Sequence, residues 1–255
     1  MKKTVFFLVF CCFAICHGFF LAYAENNQPD IRKIVDTVDR LYRSSTSRTD
    51  VKMTISTQNW ERTLRMIIWT RDLNRTFIHI AAPKKDAGIA TLRIDSSMWN
   101  YFPKIDKVIK VPPSMMMSSW MGSDFTNDDL VKESTLLGDY HAKFASSENQ
   151  EENNFYIELL PKEKTATVWG KIIMIIQKAD LIPLKQIFFD EHGEKIRVMK
   201  FYDIKTFGNR KIPATLELVS LKHKGKKTIL HYEDAEFDAK IPDSIFTRRN
   251  LQKKR

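Results

Sequence analysis

The most concentrated set of residues that could do chemistry is an acidic cluster formed by Asp124, Asp128 and Asp129. Carboxylates in a short stretch can bind a cation or act as acids and bases. A calcium loop needs oxygen ligands at alternating positions and a glycine at its sharp turn, and this cluster lacks that arrangement. Carboxylates at the start of a helix also complement the helix dipole. We therefore expect the cluster to cap a helix rather than to bind a metal.

The histidines and glycines do not indicate a catalytic site either. After the first two dozen residues the histidines are His79, His141, His192, His223 and His231. They show no metal-ligand spacing, and His79 lies between isoleucines in a probable strand, as a structural histidine does. With only 8 glycines, the chain contains no Gly-x-Ser-x-Gly elbow, phosphate loop or Gly-x-Gly-x-x-Gly motif. An enzyme is therefore unsupported, and we expect no catalytic residue, metal or cofactor.

Apolar side chains suited to binding are concentrated between a proline pair and Gly122. They are Met115, Met116, Met117, Trp120 and Met121. Methionine side chains are flexible and polarizable, so they repack around partners of different shape. One hypothesis is that these residues form a movable apolar lid. The alternative is a core helix in which methionine fills gaps.

The first two dozen residues have the three parts of a secretory signal. Lys2 and Lys3 precede an uncharged apolar stretch over residues 5–20, and Ala22-Tyr23-Ala24 supplies the small-x-small pattern of a signal peptidase site. We predict cleavage before Glu25 and a periplasmic location. An uncleaved anchor is the alternative, because the apolar stretch is near the lower limit of a membrane span.

All three cysteines of the chain, Cys11, Cys12 and Cys16, lie within this signal. Lipid modification of a cysteine would require small residues just before it, whereas Ile15 precedes Cys16 and Phe10 precedes Cys11. Cleavage therefore leaves a mature chain without a cysteine for a disulfide or a thiolate site. Its stability must come from its core.

The mature chain is basic. The signal contains two of the 41 basic residues and no acidic residue, which leaves 39 basic and 31 acidic residues and a net charge of +8. Outside the cytoplasm, this charge favours solubility or contact with anionic lipid headgroups or an acidic partner protein. We expect transient contact with a membrane surface and no nucleic-acid partner.

Two kinds of periodicity indicate a mainly β protein of the α+β class. Asp30 is a plausible N-cap for an amphipathic helix with apolar residues between Ile31 and Tyr42. After residue 50, apolar and polar residues alternate between turns. The predicted strands cover 51–56, 64–69, 75–82, 89–95, 97–102, 105–111, 138–146, 153–160, 167–177, 183–190, 195–206, 213–223 and 226–236.

So many short strands form an antiparallel sheet that is too wide to remain flat, so it should curl or close. His192-Gly193 and Lys224-Gly225 are typical hairpin turns. Both faces of residues 172–176 are apolar, so both are covered, either by a filled core or by the wall of a cavity. We find no second core and no linker, and predict one domain over residues 25–255.

The alternation stops between residues 112 and 131, where helical signals return. Pro113 can start a helix. Thr126 and Asp129 have the spacing of a capping box at the start of a second helix. A helical segment within a curled sheet can cover one face or the mouth of the sheet.

Three runs of residues in this part of the chain form a long and specific pattern. They are Met98-Trp99-Asn100-Tyr101-Phe102-Pro103-Lys104, Val111-Pro112-Pro113-Ser114-Met115-Met116 and Trp120-Met121-Gly122-Ser123-Asp124-Phe125-Thr126-Asn127-Asp128-Asp129-Leu130. The pattern resembles the outer membrane lipoprotein-sorting protein family of LolA-like periplasmic proteins. The signal, the N-terminal helix and the strands fit this family over nearly the whole chain.

The resemblance implies an incomplete antiparallel β-barrel whose helices close a hydrophobic cavity for acyl chains. It also implies a carrier between membranes, often alongside an inner-membrane exporter of the resistance-nodulation-division type. The cargo could be the acyl chains of a lipoprotein, a phospholipid or another apolar molecule. The alternatives are an adaptor with a packed interior, or an envelope hydrolase acting on lipid or glycan.

The alternation allows the wall of such a cavity to be predicted, with the lid formed by residues 113–121. A register error of one residue would invert each strand. The predicted wall residues are Leu64, Met66, Ile68, Trp99, Ile157, Leu159, Met174, Ile176 and Phe188.

Overall fold

The structure is a computed structural model that describes residues 29–131, 135–146, 150–165, 167–222 and 225–253. The predicted signal, its three cysteines and the cleavage site before Glu25 lie outside these residues. His223, and Lys224 of the predicted Lys224-Gly225 turn, also lie outside them.

A single antiparallel sheet dominates the part of the chain that the structure describes. Its thirteen strands follow the spatial order β6-β5-β4-β3-β2-β1-β13-β12-β11-β10-β9-β8-β7, so β6 and β7 are its two edges. The strands are β1 (Thr46–Ser56), β2 (Glu61–Arg71), β3 (Arg75–Ala82), β4 (Ala90–Ile94), β5 (Ser97–Phe102), β6 (Lys107–Lys110), β7 (Tyr140–Phe144), β8 (Asn154–Pro161), β9 (Lys171–Gln177), β10 (Pro183–Phe189), β11 (Lys195–Phe207), β12 (Arg210–Ser220) and β13 (Lys227–Phe237).

The predicted fold class is confirmed: the sheet is curled and unclosed, with few helices. Each predicted strand corresponds to an observed one, and the bounds differ by only a few residues at the ends of most strands. The helices are α1 (Ile31–Asp39), α2 (Asn127–Val131), α3 (Leu136–Asp139) and α4 (Arg248–Leu251), with 3₁₀ turns at Pro113–Met115 and Asp243–Phe246.

Helix α1 begins where the sequence predicts. The Asp30 carboxylate caps it by accepting the backbone N–H of Arg32 at 2.9 Å and that of Lys33 at 3.2 Å. Its apolar residues, which include Val35 and Val38, pack with buried side chains of β8 and β9. The helix is therefore held by burial of one stripe, as its periodicity requires.

Alternation along the central strands gives the sheet two distinct faces. Every second residue of β1 is buried, including Met53, which lies opposite Leu64 of β2 and Leu230 of β13. We call the face that carries Met53 the inner face. It carries two apolar clusters, one on β1–β3 with Met98 of β5 and one on β7–β10.

The outer face is covered near one edge of the sheet by the C-terminal residues. Phe246 and Leu251 pack there against Phe77 of β3 and Leu92 of β4. Side chains of β3 alternate between the two faces: Phe77 belongs to this outer cluster, and its neighbour Ile78 belongs to the inner cluster on β1–β3.

Residues 111–139 join the two edge strands, and we call them the crossing segment; residues 132–134 are outside the structure. Its first part, including Val111 and Trp120, packs against the inner cluster on β1–β3. Its last part, including Leu136 and Leu137, packs against the inner cluster on β7–β10. The segment therefore passes over the inner face of the sheet from one edge to the other.

The helix predicted from Pro113 is only one 3₁₀ turn long, because its carbonyls bond to a later part of the crossing segment. The carbonyls of Met116 and Ser118 accept the N–H groups of Asp128 and Asn127, at 2.8 and 3.0 Å. Those acceptors are thus unavailable for a continued helix.

The capping box predicted at α2 is confirmed. The carboxylate of Asp129 accepts the N–H of Thr126 at 2.9 Å, and the Thr126 hydroxyl accepts the N–H of Asp129 at 3.1 Å. This part of the acidic cluster therefore caps a helix, as the sequence suggested.

Candidate binding cavity

A cavity of about 340 Å³ lies between the inner face of the sheet and the crossing segment. This volume is at the lower end of the range for small-molecule sites, which is about 300–1,000 Å³. Most of the side chains around it are apolar. The lining residues are Met53, Met66, Ile68, Ile78, Trp120, Phe125, Asp129, Leu130, Leu136, Trp169, Ile172, Gln186, Phe188, Arg197, Met199, Leu230 and Tyr232.

Strand register places these residues opposite one another. On one side, Ile68 of β2 lies across from Ile78 of β3. On the other side, Phe188 of β10 lies between Ile172 of β9 and Arg197 of β11. The cavity therefore occupies the gap between the two inner clusters, with β13 at its floor and α2 and α3 opposite.

The structure places the predicted wall residues in three different environments. Met66, Ile68 and Phe188 line the cavity. Five others are fully buried in the adjoining inner clusters rather than on the cavity surface. These are Leu64, Ile157, Leu159, Met174 and Ile176.

Trp99 is the one predicted wall residue on the opposite face. Its neighbour Met98 points into the inner cluster, so period-two alternation sends Trp99 outward. There Lys110 Nζ lies 5.6 Å and the Arg248 guanidinium 6.0 Å from its ring centre. The structure therefore does not place Trp99 in the cavity wall, and the error is a register shift of one residue.

The predicted lid residues divide between the cavity side and the solvent side of the crossing segment. Trp120 is buried on the cavity, and its indole N–H donates to the Thr91 hydroxyl at 3.3 Å. Met116 and Met121 pack against the β1–β3 cluster. Met115 and Met117 face solvent and keep 51% and 47% of their surface exposed.

One corner of the cavity carries a charge pair that the sequence reasoning missed. Arg197 of β11 donates from Nη1 and Nη2 to the two carboxylate oxygens of Asp129 in α2, each at 2.9 Å. Its guanidinium lies 4.3 Å from the ring centre of Trp169 and 4.2 Å from that of Phe188. Cation–π contacts of this kind strengthen when the cation is desolvated.

The surroundings of Asp129 act on its acidity in opposite directions. Burial raises the pKa of the Asp129 carboxyl. The positive charge of Arg197 and the hydrogen bonds from Arg197 and Thr126 lower this pKa by more than burial raises it, so the net pKa is below its usual range. The carboxylate is therefore held in its ionised form. Arg197 Nε is buried and has no hydrogen-bond partner among the described residues.

Two further polar side chains line the cavity. Tyr232 stacks on Tyr42 with ring centres 5.5 Å apart, and burial raises the pKa of Tyr232 to about 12. Gln186 lies two residues from Phe188 on the same face of β10. Neither the Tyr232 hydroxyl nor the Gln186 amide hydrogen-bonds to another side chain within the described ranges. The cavity thus has an apolar wall with a few uncommitted polar groups.

Larger grooves elsewhere on the described chain are more polar. One of about 1090 Å³ separates the outer face, at Trp69 and His79, from the C-terminal residues. Another of about 700 Å³ runs between α1 and the β11–β12 turn and is rich in arginine and aspartate. The inner-face cavity is more apolar and more enclosed than either of these grooves, and we therefore treat it as the candidate site.

Neither metal ligation nor a helical membrane span is found in the described ranges. No group of three or more histidine, cysteine, aspartate or glutamate side chains there is placed to hold a metal ion. None of the helices resolved above has the length and apolar character needed to cross a bilayer.

Comparison with known proteins places the chain by family and by fold. A family model described as "Uncharacterized protein" matches residues 72–253. The chain belongs to this family. No curated protein sequence gives a significant match.

Solved structures show the fold. A DUF1329 family protein from Desulfovibrio piger superposes with a TM-score of 0.77 at 16% identity, over 88% of this chain and 100% of the other. An outer membrane lipoprotein-sorting protein domain from Vibrio parahaemolyticus superposes with a TM-score of 0.73 at 20% identity, over 87% of this chain and 97% of the other. A LolA superfamily protein from Nitrosomonas europaea superposes with a TM-score of 0.72 at 17% identity, over 88% of this chain and 100% of the other. The LolA-like resemblance of the sequence is confirmed at the level of fold.

Proposed function

We propose that the protein is a periplasmic carrier that binds acyl chains of lipoproteins or other lipids in the inner-face cavity and transfers them between membranes. The observation that carries this proposal is the cavity itself. An unclosed sheet leaves about 340 Å³ of mostly apolar space on its inner face, and the crossing segment covers that space. A packed interior would have no such space.

Burial of an apolar chain supplies the binding free energy. Each buried methylene contributes about 0.8 kcal/mol, so even a short acyl chain binds strongly in a dry cavity. Met53, Met66 and Met199 line the cavity and can repack as a chain enters. The small volume suits a single chain, and a lipid with several chains requires the cavity to widen.

The crossing segment is the part best placed to move. Trp120 closes the cavity, and a short bridge between Ser119 and Thr126 folds this part of the segment back on itself. Both ends of the segment are anchored to edge strands, β6 and β7, which have a neighbour on one side only. In this proposal residues 113–121 form the lid that opens for entry and release.

The location and partners rest on the N-terminal signal, on charge and on family resemblance. The predicted signal directs the chain to the periplasm, and the net charge of +8 after cleavage favours encounter with anionic membranes. An inner-membrane exporter of the resistance-nodulation-division type is the proposed partner, on the basis of the resemblance alone.

Mass spectrometry of an organic extract of the purified mature protein tests the carrier proposal. A carrier should bring a stoichiometric lipid with it through purification. An extract without lipid would favour the adaptor with a packed interior. Turnover of added lipid substrates would instead point to an envelope hydrolase.

A further inference from the structure

The Arg197–Asp129 pair lies inside an otherwise apolar wall, with side-chain exposures of 8% and 21%. A buried ion pair is an expensive way to stabilise a fold, because desolvation of both charges offsets most of their attraction. Apolar residues of similar volume often serve stability as well or better. Stability is therefore a weak explanation for why an ion pair, rather than apolar side chains, lies on the cavity.

The two members of the pair belong to different parts of the molecule. Arg197 is fixed on the sheet, in register with Phe188 of β10 and Ser220 of β12, and its guanidinium lies against the rings of Trp169 and Phe188. Asp129 belongs to α2 of the crossing segment. The cation is thus part of the sheet, whereas the anion belongs to the crossing segment, on the C-terminal side of the proposed lid.

The geometry at Arg197 is that of an acid-binding site. A guanidinium presents parallel N–H donors that match the two oxygens of a carboxylate or a phosphate. Both donors bond to the Asp129 carboxylate at 2.9 Å, so this carboxylate occupies the position that the acid group of a ligand would take.

A further donor lies next to this site. Gln186 is a diagonal neighbour of Arg197 across the β10–β11 pair, and such neighbours are roughly 7–8 Å apart, within reach of long side chains. Its side-chain amide makes no hydrogen bond to another described residue and can donate two. An acid group beside Arg197 could therefore be bound by two residues of the sheet.

We propose that the cavity selects amphiphiles that carry an acidic group, a carboxylate or a phosphate, at one end of an apolar chain. The chain lies along the apolar wall, and Arg197 binds the acid group in place of Asp129. This inference rests on the proposed carrier function and specifies its cargo class.

Titration of the delipidated mature protein with four ligands of equal chain length tests the selection. Laurate and dodecyl phosphate supply the two acid groups, and methyl laurate and dodecanol are neutral counterparts. Trp120 and Trp169 line the cavity, so binding can be followed by tryptophan fluorescence. The acids can form charge-assisted, bidentate hydrogen bonds to Arg197 in place of Asp129, and the neutral ligands cannot, so the acids should bind roughly tenfold more tightly than the neutral ligands.

Variants assign the preference to the pair. Arg197→Gln should lose the preference for acids, whereas Asp129→Asn should bind laurate more tightly than wild type because the internal competitor is gone. The double variant Arg197→Gln/Asp129→Asn leaves no unpaired charge, so it keeps the measurement valid if Arg197→Gln alone unfolds; it should bind all four ligands alike.

Arg210→Gln is the matched control. Arg210 also lies over an aromatic ring, 4.4 Å from the centre of Phe237, and pairs with Asp238 at 3.4 Å, but it is outside the cavity. This variant should keep the wild-type preference.

The outcomes separate the two proposals. Equal binding of acids and neutral ligands by wild type, or an acid preference that survives in the double variant, would overturn acid selection and leave the carrier proposal standing. Failure of all four ligands to bind would overturn both. A preference for one acid over the other identifies carboxylate or phosphate as the natural group.

Discussion

Arg197 shows how a single side chain changes what the cavity can do. Without it this part of the wall would carry no positive charge, and the proposed selection of acidic amphiphiles would have no basis. With it, a cation lies against the rings of Trp169 and Phe188, where little water screens its charge. Removing either partner of such a buried pair typically costs about 3–5 kcal/mol, because the other charge is left unpaired. The pair is therefore a sensitive site for measurements of stability.

The pH dependence of unfolding should report the ionisation of Asp129. Its pKa is lower in the folded protein than in the unfolded chain, so the ionised carboxylate stabilises the fold above the unfolded pKa. This contribution is lost as the pH falls through the lower, folded pKa. Urea unfolding over a series of acidic pH values should show a decline in wild type that is weaker in Asp129→Asn.

Asp39 provides an internal reference for this measurement. Burial raises the pKa of the Asp39 carboxyl, although Arg43 opposes the shift, so protonation of Asp39 favours folding as the pH falls. The effect of Asp39 on stability is therefore opposite in sign to that of Asp129, and it is the same in wild type and in Asp129→Asn. Identical pH profiles for wild type and Asp129→Asn would contradict the assignment of the low pKa to Asp129.

The sequence contained part of the information about this pair. Alternation in β11 is sufficient to place Arg197 on the same face as Met199, and the capping box is sufficient to place Asp129 at the start of α2. Their contact, however, joins positions 68 residues apart. No local pattern encodes that distance, so the pair is visible only in three dimensions.

At the scale of elements, the crossing segment is irregular in structure and contains the proposed lid. Its methionines suggested a helix, but hydrogen bonds between residues 116–118 and 127–128 end the helix after one 3₁₀ turn. The segment therefore packs as a folded loop, with Trp120 and Met116 toward the sheet and Met117 toward solvent.

The lid hypothesis is tested by the double substitution Met116→Asp/Trp120→Asp. Carboxylates on the cavity side should be driven out of the apolar wall and open the segment, because burial of an unpaired charge is costly. We expect lipid uptake to fall at least several-fold, while the strand signature in circular dichroism stays unchanged.

Met117→Asp is the control within the same segment. Met117 is 47% exposed, so its substitution leaves the cavity intact and should leave uptake close to the wild-type value. If the double variant took up lipid as well as this control does, the segment would not act as a lid.

The sequence predicts which face a side chain occupies where only one face of the strand is buried. Where both faces of a strand are buried, the prediction can assign a side chain to the wrong face. In β1 every second residue is buried, so the alternation in the sequence determines the register. In β5 both Met98 and Trp99 pack against apolar neighbours on opposite faces, and the sequence offers no basis for choosing between them. The error at Trp99 has this origin.

At the scale of the whole molecule, the chain forms two wings that meet at the β1–β13 pair. Strands β1–β6 extend to one edge and strands β13–β7 to the other, each step being a connection between neighbouring antiparallel strands. The crossing segment connects the two edges on the inner face. Each wing carries its own inner cluster, and the cavity lies where the clusters do not meet.

This arrangement explains which global properties the sequence could predict. Sheets of more than about ten strands usually curl, split or flatten, so the number of predicted strands already favours a curled sheet. Whether the inside is filled depends on how side chains of both wings pack, and the apolar composition is the same in either case. The single domain over residues 25–255 stays a prediction.

The central claim, that the inner-face cavity holds an acyl chain, is tested most directly by filling the cavity. Ile68→Trp adds bulk to the wall, and Ile67→Trp adds the same bulk to the outer face of the same strand. The measurement is the amount of lipid extracted per mole of purified mature protein. We expect wild type and Ile67→Trp to carry about one lipid and Ile68→Trp to carry several-fold less; equal lipid content in all three proteins would contradict the claim.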